Sequence, residues 1–175
     1  MTTINAAKII TTSMVPKCRP PRILIAGLGN CLLRDDGIGV HAVRSLQQTP
    51  PPGVVVAEVG TAVLDALHLL GWAEKIVAID AMQAGGNPGT LYVFGVDAVA
   101  GQGMQVSLHE LNLLAALNFL PRRIKPEILI VGIEPETIDY GLDLSPSMVA
   151  ALPKLTREVR KIVSGWRSGH KSPVK

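Results

Sequence analysis

A short apolar run that ends in glycines constrains the fold of this chain most strongly. Residues 23–26 are all aliphatic, and uninterrupted runs of this length are typical of strands buried on both faces of a parallel sheet. Gly27 and Gly29 follow and permit a tight turn at the carboxyl end of the strand. Because open α/β sheets place their functional sites at these carboxyl ends, the sequence predicts a buried strand followed by a functional loop.

The predicted loop carries two adjacent carboxylates, Asp35 and Asp36, just before the next helical pattern. Neighbouring carboxylates repel each other, and the repulsion grows in a site of low dielectric constant. Burying both is unfavourable unless a cation lies between them or water solvates them. Either residue could instead cap the helix that follows.

Four more apolar runs alternate with helical patterns along the rest of the chain. The predicted strands are 54–58, 75–80, 89–96 and 127–133, and the predicted helices are 39–48, 63–70, 107–117 and 146–162. Pro88 makes 89–96 the candidate edge strand, and Pro153 is a candidate kink in the last helix. This order predicts an α/β fold, a three-layer αβα sandwich with a twisted, mainly parallel five-stranded sheet and helices on both faces.

The length of 175 residues suits one compact domain. We predict a single domain at 22–163, between a flexible leader at 1–21 and a flexible basic tail at 164–175. The net charge of +3 comes from the two ends, because residues 23–153 carry 13 of the 14 acids but only 6 of the 17 Lys and Arg, a net charge of −7. An acidic body is a poor surface for phosphates, so no nucleic-acid partner is expected.

The two cysteines form no C-x-x-C pair, so neither a disulfide framework nor a structural zinc site is indicated. We expect Cys31 to pack as a small hydrophobic residue, since a catalytic thiol needs positive neighbours and acids follow it in the loop. No apolar run reaches the length of a signal-peptide core or of a membrane span. These features predict a cytoplasmic protein with no membrane partner.

Three side chains with metal-ligand chemistry follow elements that should meet at one edge of the sheet. Asp36 follows the first strand, Asp80 ends the third, and His109 lies in the first turn of a helix whose Ser107 and Glu110 have capping-box spacing. Two carboxylates with an imidazole suit zinc, nickel or a similar cation. Ordinary alternatives are a turn cap at Asp80 and a satisfied helix residue at His109.

A dinucleotide site competes with this interpretation, because Gly27 and Gly29 follow a strand and Glu58 ends the next one. Leu32 stands where the third glycine of that fingerprint belongs, however, and the carboxylates beyond it would repel a pyrophosphate. A nucleotide-binding enzyme is therefore kept only as an alternative.

Residues 27–39, Gly-Leu-Gly-Asn-Cys-Leu-Leu-Arg-Asp-Asp-Gly-Ile-Gly, closely resemble the opening motif of the hydrogenase maturation endopeptidases. Similar proteins continue with an acid-Gly-Gly-Thr turn, an apolar strand ending in Asp-Ala, a Ser-x-His helix start and a strand ending in Gly-x-x-Pro-Glu. The matching stretches are 58–61, 77–81, 107–109 and 131–136, with Gly-Leu-Asp-Leu-Ser-Pro at 141–146. Residues 22 to about 163 are covered in order.

The resemblance implies a hydrolase, an endopeptidase that removes the C-terminal extension from the nickel-loaded large-subunit precursor of a nickel-iron hydrogenase. It also implies that nickel arrives with this precursor, and that Asp36, Asp80 and His109 are the catalytic and metal-contacting residues. The expected partner is the precursor alone, bound by a monomer, with no further cofactor site. The implied fold agrees with the predicted sheet.

Two departures from the family pattern lie in the motifs. The first metal-contacting residue is often Glu and is Asp36 here, while Val59 replaces a usual Gly and could alter which hydrogenase tail is accepted. Peptidyl-tRNA hydrolases share the strand followed by Gly-Leu-Gly-Asn, but the Pro-Gly and Thr-Arg-His-Asn stretches expected of them are missing. A nickel-dependent docking protein that does not cleave is a further alternative.

Overall fold

The computed structural model describes residues 19–96, 108–121 and 126–169. Its centre is a five-stranded sheet in the order β2-β1-β3-β5-β4. The strands are β1 (Ile23–Leu28), β2 (Val54–Gly60), β3 (Lys75–Ala81), β4 (Leu91–Gly95) and β5 (Glu127–Ile133). Four of them are parallel, and β4 pairs antiparallel with β5 at the edge. The predicted α/β sheet and its edge strand are therefore confirmed.

Helices cover both faces of the sheet. They are α1 (Ile38–Gln48), α2 (Leu67–Trp72), α3 (Leu108–Leu117) and α4 (Pro146–Arg167), with short 3-10 helices at Arg34–Gly37 and Val63–Ala66. Buried side chains of α1 and α4 pack on one face, while those of α2 and α3 pack on the other. Successive β1 side chains enter the two cores alternately, which explains its uninterrupted apolar sequence. The three-layer arrangement is thus confirmed.

Two helices differ from the predicted pattern. The helix predicted at 63–70 begins as a 3-10 turn and becomes α-helical only at Leu67. The last helix is continuous through Pro153 and extends to Arg167, past the predicted boundary at 164. Proline removes one helical hydrogen bond, but Pro153 is exposed while Met148 and Leu155 on either side are buried in the core. Packing of the adjacent turns therefore maintains the helix.

Several predictions fall on residues that the structure does not describe. They are the leader before residue 19, the Ser107 cap and the tail after residue 169. Within the described ranges, none of the helices combines the length and the apolar composition that crossing a membrane would require.

The strand order brings the predicted functional loop to the centre of the sheet. Strand β1 lies between β2 and β3, and Gly27 pairs with Ile79. Asp80 therefore follows immediately beyond the β1 register at the same carboxyl edge, opposite Gly132 of β5. The fold thus places the loop after β1 beside the end of β3.

Candidate active site

Close backbone packing shapes the loop between β1 and α1. Gly29 has a φ of +108°, and a side chain at this position would overlap the carbonyl oxygen of Asp36. Glycine is therefore required there by both conformation and space. Arg34 also has a positive φ, +46°, which is uncommon for a residue other than glycine. The loop consequently has a fixed shape just before Asp36.

Asp36 and His109 meet across this edge of the sheet. His109 is the second residue of α3, and its Nε2 lies 3.1 Å from Oδ2 of Asp36. The same oxygen accepts a hydrogen bond from the backbone N–H of Asn30 at 2.9 Å. Both side chains are largely buried but still reach solvent, with exposed fractions of 14% for Asp36 and 15% for His109. The pair is accessible to a substrate while its geometry is held by the protein.

Asp80 lies fully buried at the carboxyl end of β3. Its Oδ1 accepts a hydrogen bond from the backbone N–H of Ala81, the next residue of the strand, at 3.0 Å. Among the residues that the structure describes, no group of three or more His, Cys, Asp or Glu side chains is arranged to hold a metal ion. The three-residue metal set therefore stays a prediction, whereas the contact between Asp36 and His109 is observed.

The Asp36–His109 contact has the donor chemistry that a borderline metal uses, one carboxylate oxygen and one imidazole nitrogen. In the present geometry the two atoms face each other as a hydrogen-bonded pair, which requires the proton to lie on Nε2 when the carboxylate is ionised. A metal bound to both atoms would have to replace that hydrogen bond and take up the deprotonated nitrogen. The pair can therefore act either as a proton-holding couple or as two ligands.

Asp35 has a different role from its neighbour. It is fully buried and accepts four hydrogen bonds from residues more than 100 positions away. The donors are the backbone N–H groups of Glu136 (2.9 Å), Thr137 (3.0 Å) and Ser145 (2.7 Å), and the hydroxyl of Ser145 (2.8 Å). Hydrogen bonds to a charged acceptor are the strong ones. Asp35 thus attaches the site loop to the segment before α4.

The alternative that Asp35 or Asp36 caps α1 is wrong. The cap position is occupied by Gly37, and no side-chain hydrogen bond is made there. Two adjacent carboxylates are expected to need a cation or water. Four hydrogen-bond donors from the protein instead satisfy the Asp35 carboxylate. Sequence reasoning missed this anchor, since its partners are distant in the chain and carry no local signal.

Glu134 is a second buried carboxylate that holds a loop at this edge. Its side chain accepts hydrogen bonds from the backbone N–H groups of Ala84 (2.9 Å) and Gly85 (3.2 Å) and from the hydroxyl of Tyr92 (2.8 Å). Burial raises the pKa of Glu134, but these donors outweigh burial and hold the pKa below its ordinary value. Glu134 thus fixes the glycine-rich loop that follows Asp80.

A pocket of about 330 Å³ adjoins the site loop on its other side. It is lined by Gly29, Asn30 and Cys31, by residues 58–62 at the end of β2, and by Val40 and Arg44 of α1. Arg44 and Glu58 form an ion pair across it, with Nη2 and Oε2 separated by 2.9 Å. Asn30 lines the pocket, and its backbone N–H donates to Asp36, so this one residue connects the pocket wall with the Asp36–His109 pair.

Residues 40–162 match the family model described as hydrogenase maturation protease. This chain belongs to the hydrogenase maturation protease family. The matched stretch extends from α1 into α4 and contains His109 and Asp80. The family resemblance inferred from the motifs is thereby confirmed, as is assignment to the protease class of hydrolases.

Individual relatives agree with the family assignment. The chain is 31% identical to the hydrogenase expression/formation protein HupD of Rhodobacter capsulatus, over 87% of this chain and 76% of the relative. It is 31% identical to the hydrogenase 2 maturation protease of Escherichia coli K12, over 79% of this chain and 88% of that protein. The solved [NiFe] hydrogenase maturation protease HybD from Thermococcus kodakarensis superimposes with a TM-score of 0.72 at 31% identity, covering 81% and 99% of the two chains. Neither the peptidyl-tRNA hydrolase nor the nucleotide-binding alternative is favoured by these matches.

Proposed function

We propose that this protein is an endopeptidase that removes the C-terminal extension from the nickel-loaded large-subunit precursor of a nickel-iron hydrogenase. Membership of the maturation protease family supports the reaction class. The observation that carries the proposal is the contact between Asp36 and His109 at the carboxyl edge of the sheet, because it joins a carboxylate and an imidazole that both reach solvent.

Nickel is proposed to be part of the substrate. Asp36, His109 and Asp80 would complete the coordination of an ion that the precursor already carries, which places the adjoining peptide bond at the site. A bound metal of this kind can polarise a carbonyl group or lower the pKa of a bound water. Metal recognition would also restrict cleavage to precursors that have received their nickel.

The chain itself supplies orientation and proton handling at this site. The Asn30 N–H donates to Oδ2 of Asp36, which favours the orientation in which this oxygen faces His109. In a second mechanism for the same reaction, Asp36 removes a proton from the attacking water as a general base, and His109 orients the carboxylate. In this aspartic-type mechanism the Asp36 carboxylate receives the proton of the attacking water. In the metal-dependent mechanism the metal instead lowers the pKa of that water.

We also propose that the protein works as a cytoplasmic monomer on its protein substrate, without nucleic acid or a membrane. The net charge of −7 over residues 23–153 supports the absence of a nucleic-acid partner, because an acidic surface repels phosphate groups. Sedimentation velocity of the purified full-length chain measures the oligomeric state directly.

The decisive experiment is intact-mass measurement of a purified large-subunit precursor incubated with this protein, with and without prior nickel loading. The proposal predicts loss of the C-terminal extension from the nickel-loaded precursor only. Binding of the loaded precursor without any mass change would instead identify a docking protein. Cleavage of the nickel-free precursor at the same rate would refute the role of nickel but would still support the assignment of protease activity.

A further inference from the structure

Three strongly exposed apolar side chains lie next to the site loop. They are Leu32, Tyr140 and Leu142, with exposed fractions of 61%, 90% and 66%, and together they are called the apolar patch below. The N–H of Gly141 donates to the carbonyl of Leu32 at 3.0 Å, so all three residues lie within one position of a single backbone contact. Contiguous exposed apolar groups on a folded protein mark interaction surfaces.

The apolar patch is fixed to the protein by several contacts. The N–H of Arg34 donates to the carbonyl of Gly141 at 3.0 Å, and its Nε lies 2.7 Å from Oδ1 of Asp139. A side chain at Gly141 would meet Arg34 Nε at 2.8 Å, so glycine allows this close approach. Asp35 adds the four hydrogen bonds to residues 136–145 described above. These contacts hold the apolar patch at a set position relative to Asp36.

We infer that the apolar patch is the docking surface for the body of the large-subunit precursor, beside the extension that is cut. This inference rests on the proposed function and names a surface that its substrate covers. Leu32 lies in the same loop as Asp36, between Asn30 and the 3-10 helix. A protein whose peptide bond reaches Asp36 must therefore cover this loop and the 140–142 segment bonded to it.

The apolar patch also explains how one site selects a whole protein. Three exposed apolar side chains exclude water most effectively when a matching apolar surface covers them. Docking of the precursor body would then set the position of the extension over the Asp36–His109 pair. The patch contributes binding rather than chemistry, because none of its residues contacts either member of that pair in the described hydrogen bonds.

The test is the triple variant Leu32→Ser, Tyr140→Ser and Leu142→Ser, assayed for processing of nickel-loaded precursor across a range of precursor concentrations. The matched control is Phe119→Ser. Phe119 is 72% exposed, but it follows the far end of α3, a helix length beyond His109. We expect the triple variant to raise KM for the precursor by roughly tenfold or more with kcat nearly unchanged, and the control to leave both constants as in the wild type. Thermal unfolding of each variant verifies the fold.

Three outcomes would overturn the inference. One is an unchanged KM in the folded triple variant, and another is an equal rise in KM for Phe119→Ser. The third is self-association of the wild type that the triple variant loses, since the patch would then bind a second copy of the chain. Failure of the wild type to cut the precursor refutes the proposed function instead, so the two failures are distinguishable.

Discussion

Asp35 and Asp36 are adjacent in the sequence but have opposite surroundings. Asp35 is fully buried and faces four donors from the segment before α4. Asp36 remains 14% exposed and shares one oxygen between the Asn30 N–H and His109. The same residue type therefore anchors the fold at position 35 and lies in the candidate active site at position 36. The difference shows that donor count and solvent access, rather than residue type, separate an anchor from a reacting group.

The largest expected effect is the loss of activity when Asp36 or its partner His109 is replaced. Asp36→Asn and His109→Ala should each lower precursor processing by at least about a hundredfold, because each removes a group that can hold a metal or move a proton. Their unfolding free energies should stay within about 1 kcal/mol of the wild type. Intact-mass kinetics and urea unfolding measure the two quantities. Normal processing by both variants would refute the site assignment.

Asp35→Asn should reverse this pattern by destabilising the fold. An amide has only one acceptor oxygen, so either orientation leaves a backbone N–H of the Asp35 network facing an NH₂ group. We expect the free energy of unfolding to fall by about 3 kcal/mol, the range for a buried donor that loses a charged acceptor. Urea titration provides the measurement. If Asp35→Asn unfolds at the same urea concentration as Asp36→Asn, the contrast between the two carboxylates is wrong.

Ser145→Ala tests one contact of the Asp35 network. The Ser145 hydroxyl donates to Asp35 at 2.8 Å, and its oxygen accepts from the N–H of Met148 at 3.3 Å as the cap of α4. Loss of the cap and of one donor should cost about 1–2 kcal/mol of stability. Thr at this position retains the hydroxyl and is the matched control. Equal stabilities for the Ala and Thr variants would contradict a role for the hydroxyl.

The smallest expected effect is on the pH dependence of stability, and it concerns Glu134, the second anchoring carboxylate. Its folded pKa lies below the ordinary value of 4.5, so it stabilises the fold above that pH. This contribution is lost as pH falls from about 4.5 through the lower folded pKa. Glu134→Gln should therefore show a weaker loss of stability over this acidic range than the wild type. Parallel acid-unfolding curves for the two proteins would contradict the assignment.

The sequence predicted the sheet well because its strands carry strong local patterns. Residues 23–26 of β1 and 128–133 of β5 carry no polar side chain, and the alternation of strands with helices leaves few possible topologies. The rule that parallel strands end at the same edge places Asp36 beside Asp80. It does not place His109, because β4 before its helix is antiparallel, although His109 Nε2 does lie 3.1 Å from Asp36.

Other features could not be predicted, because they depend on tertiary contacts. The donors to Asp35 lie 101 to 110 residues away, and no local pattern joins them. Arg34 has a left-handed backbone that its side-chain type disfavours, and the contacts to Gly141 and Asp139 stabilise that conformation. The extension of α4 to Arg167, past the predicted end, likewise reflects packing, because Trp166 is buried in the core.

The reach of the Asp35 hydrogen bonds has a consequence for synthesis of the chain. Residues 136–145 leave the ribosome more than 100 residues after Asp35, although Asp36, Asp80 and His109 have all been made by then. A chain still in synthesis at that stage contains the three proposed site residues but lacks the donors that hold Asp35. Closing so long a loop comes late and costs chain entropy. Formation of the Asp35 anchor is thus tied to arrival of the segment that precedes the last helix.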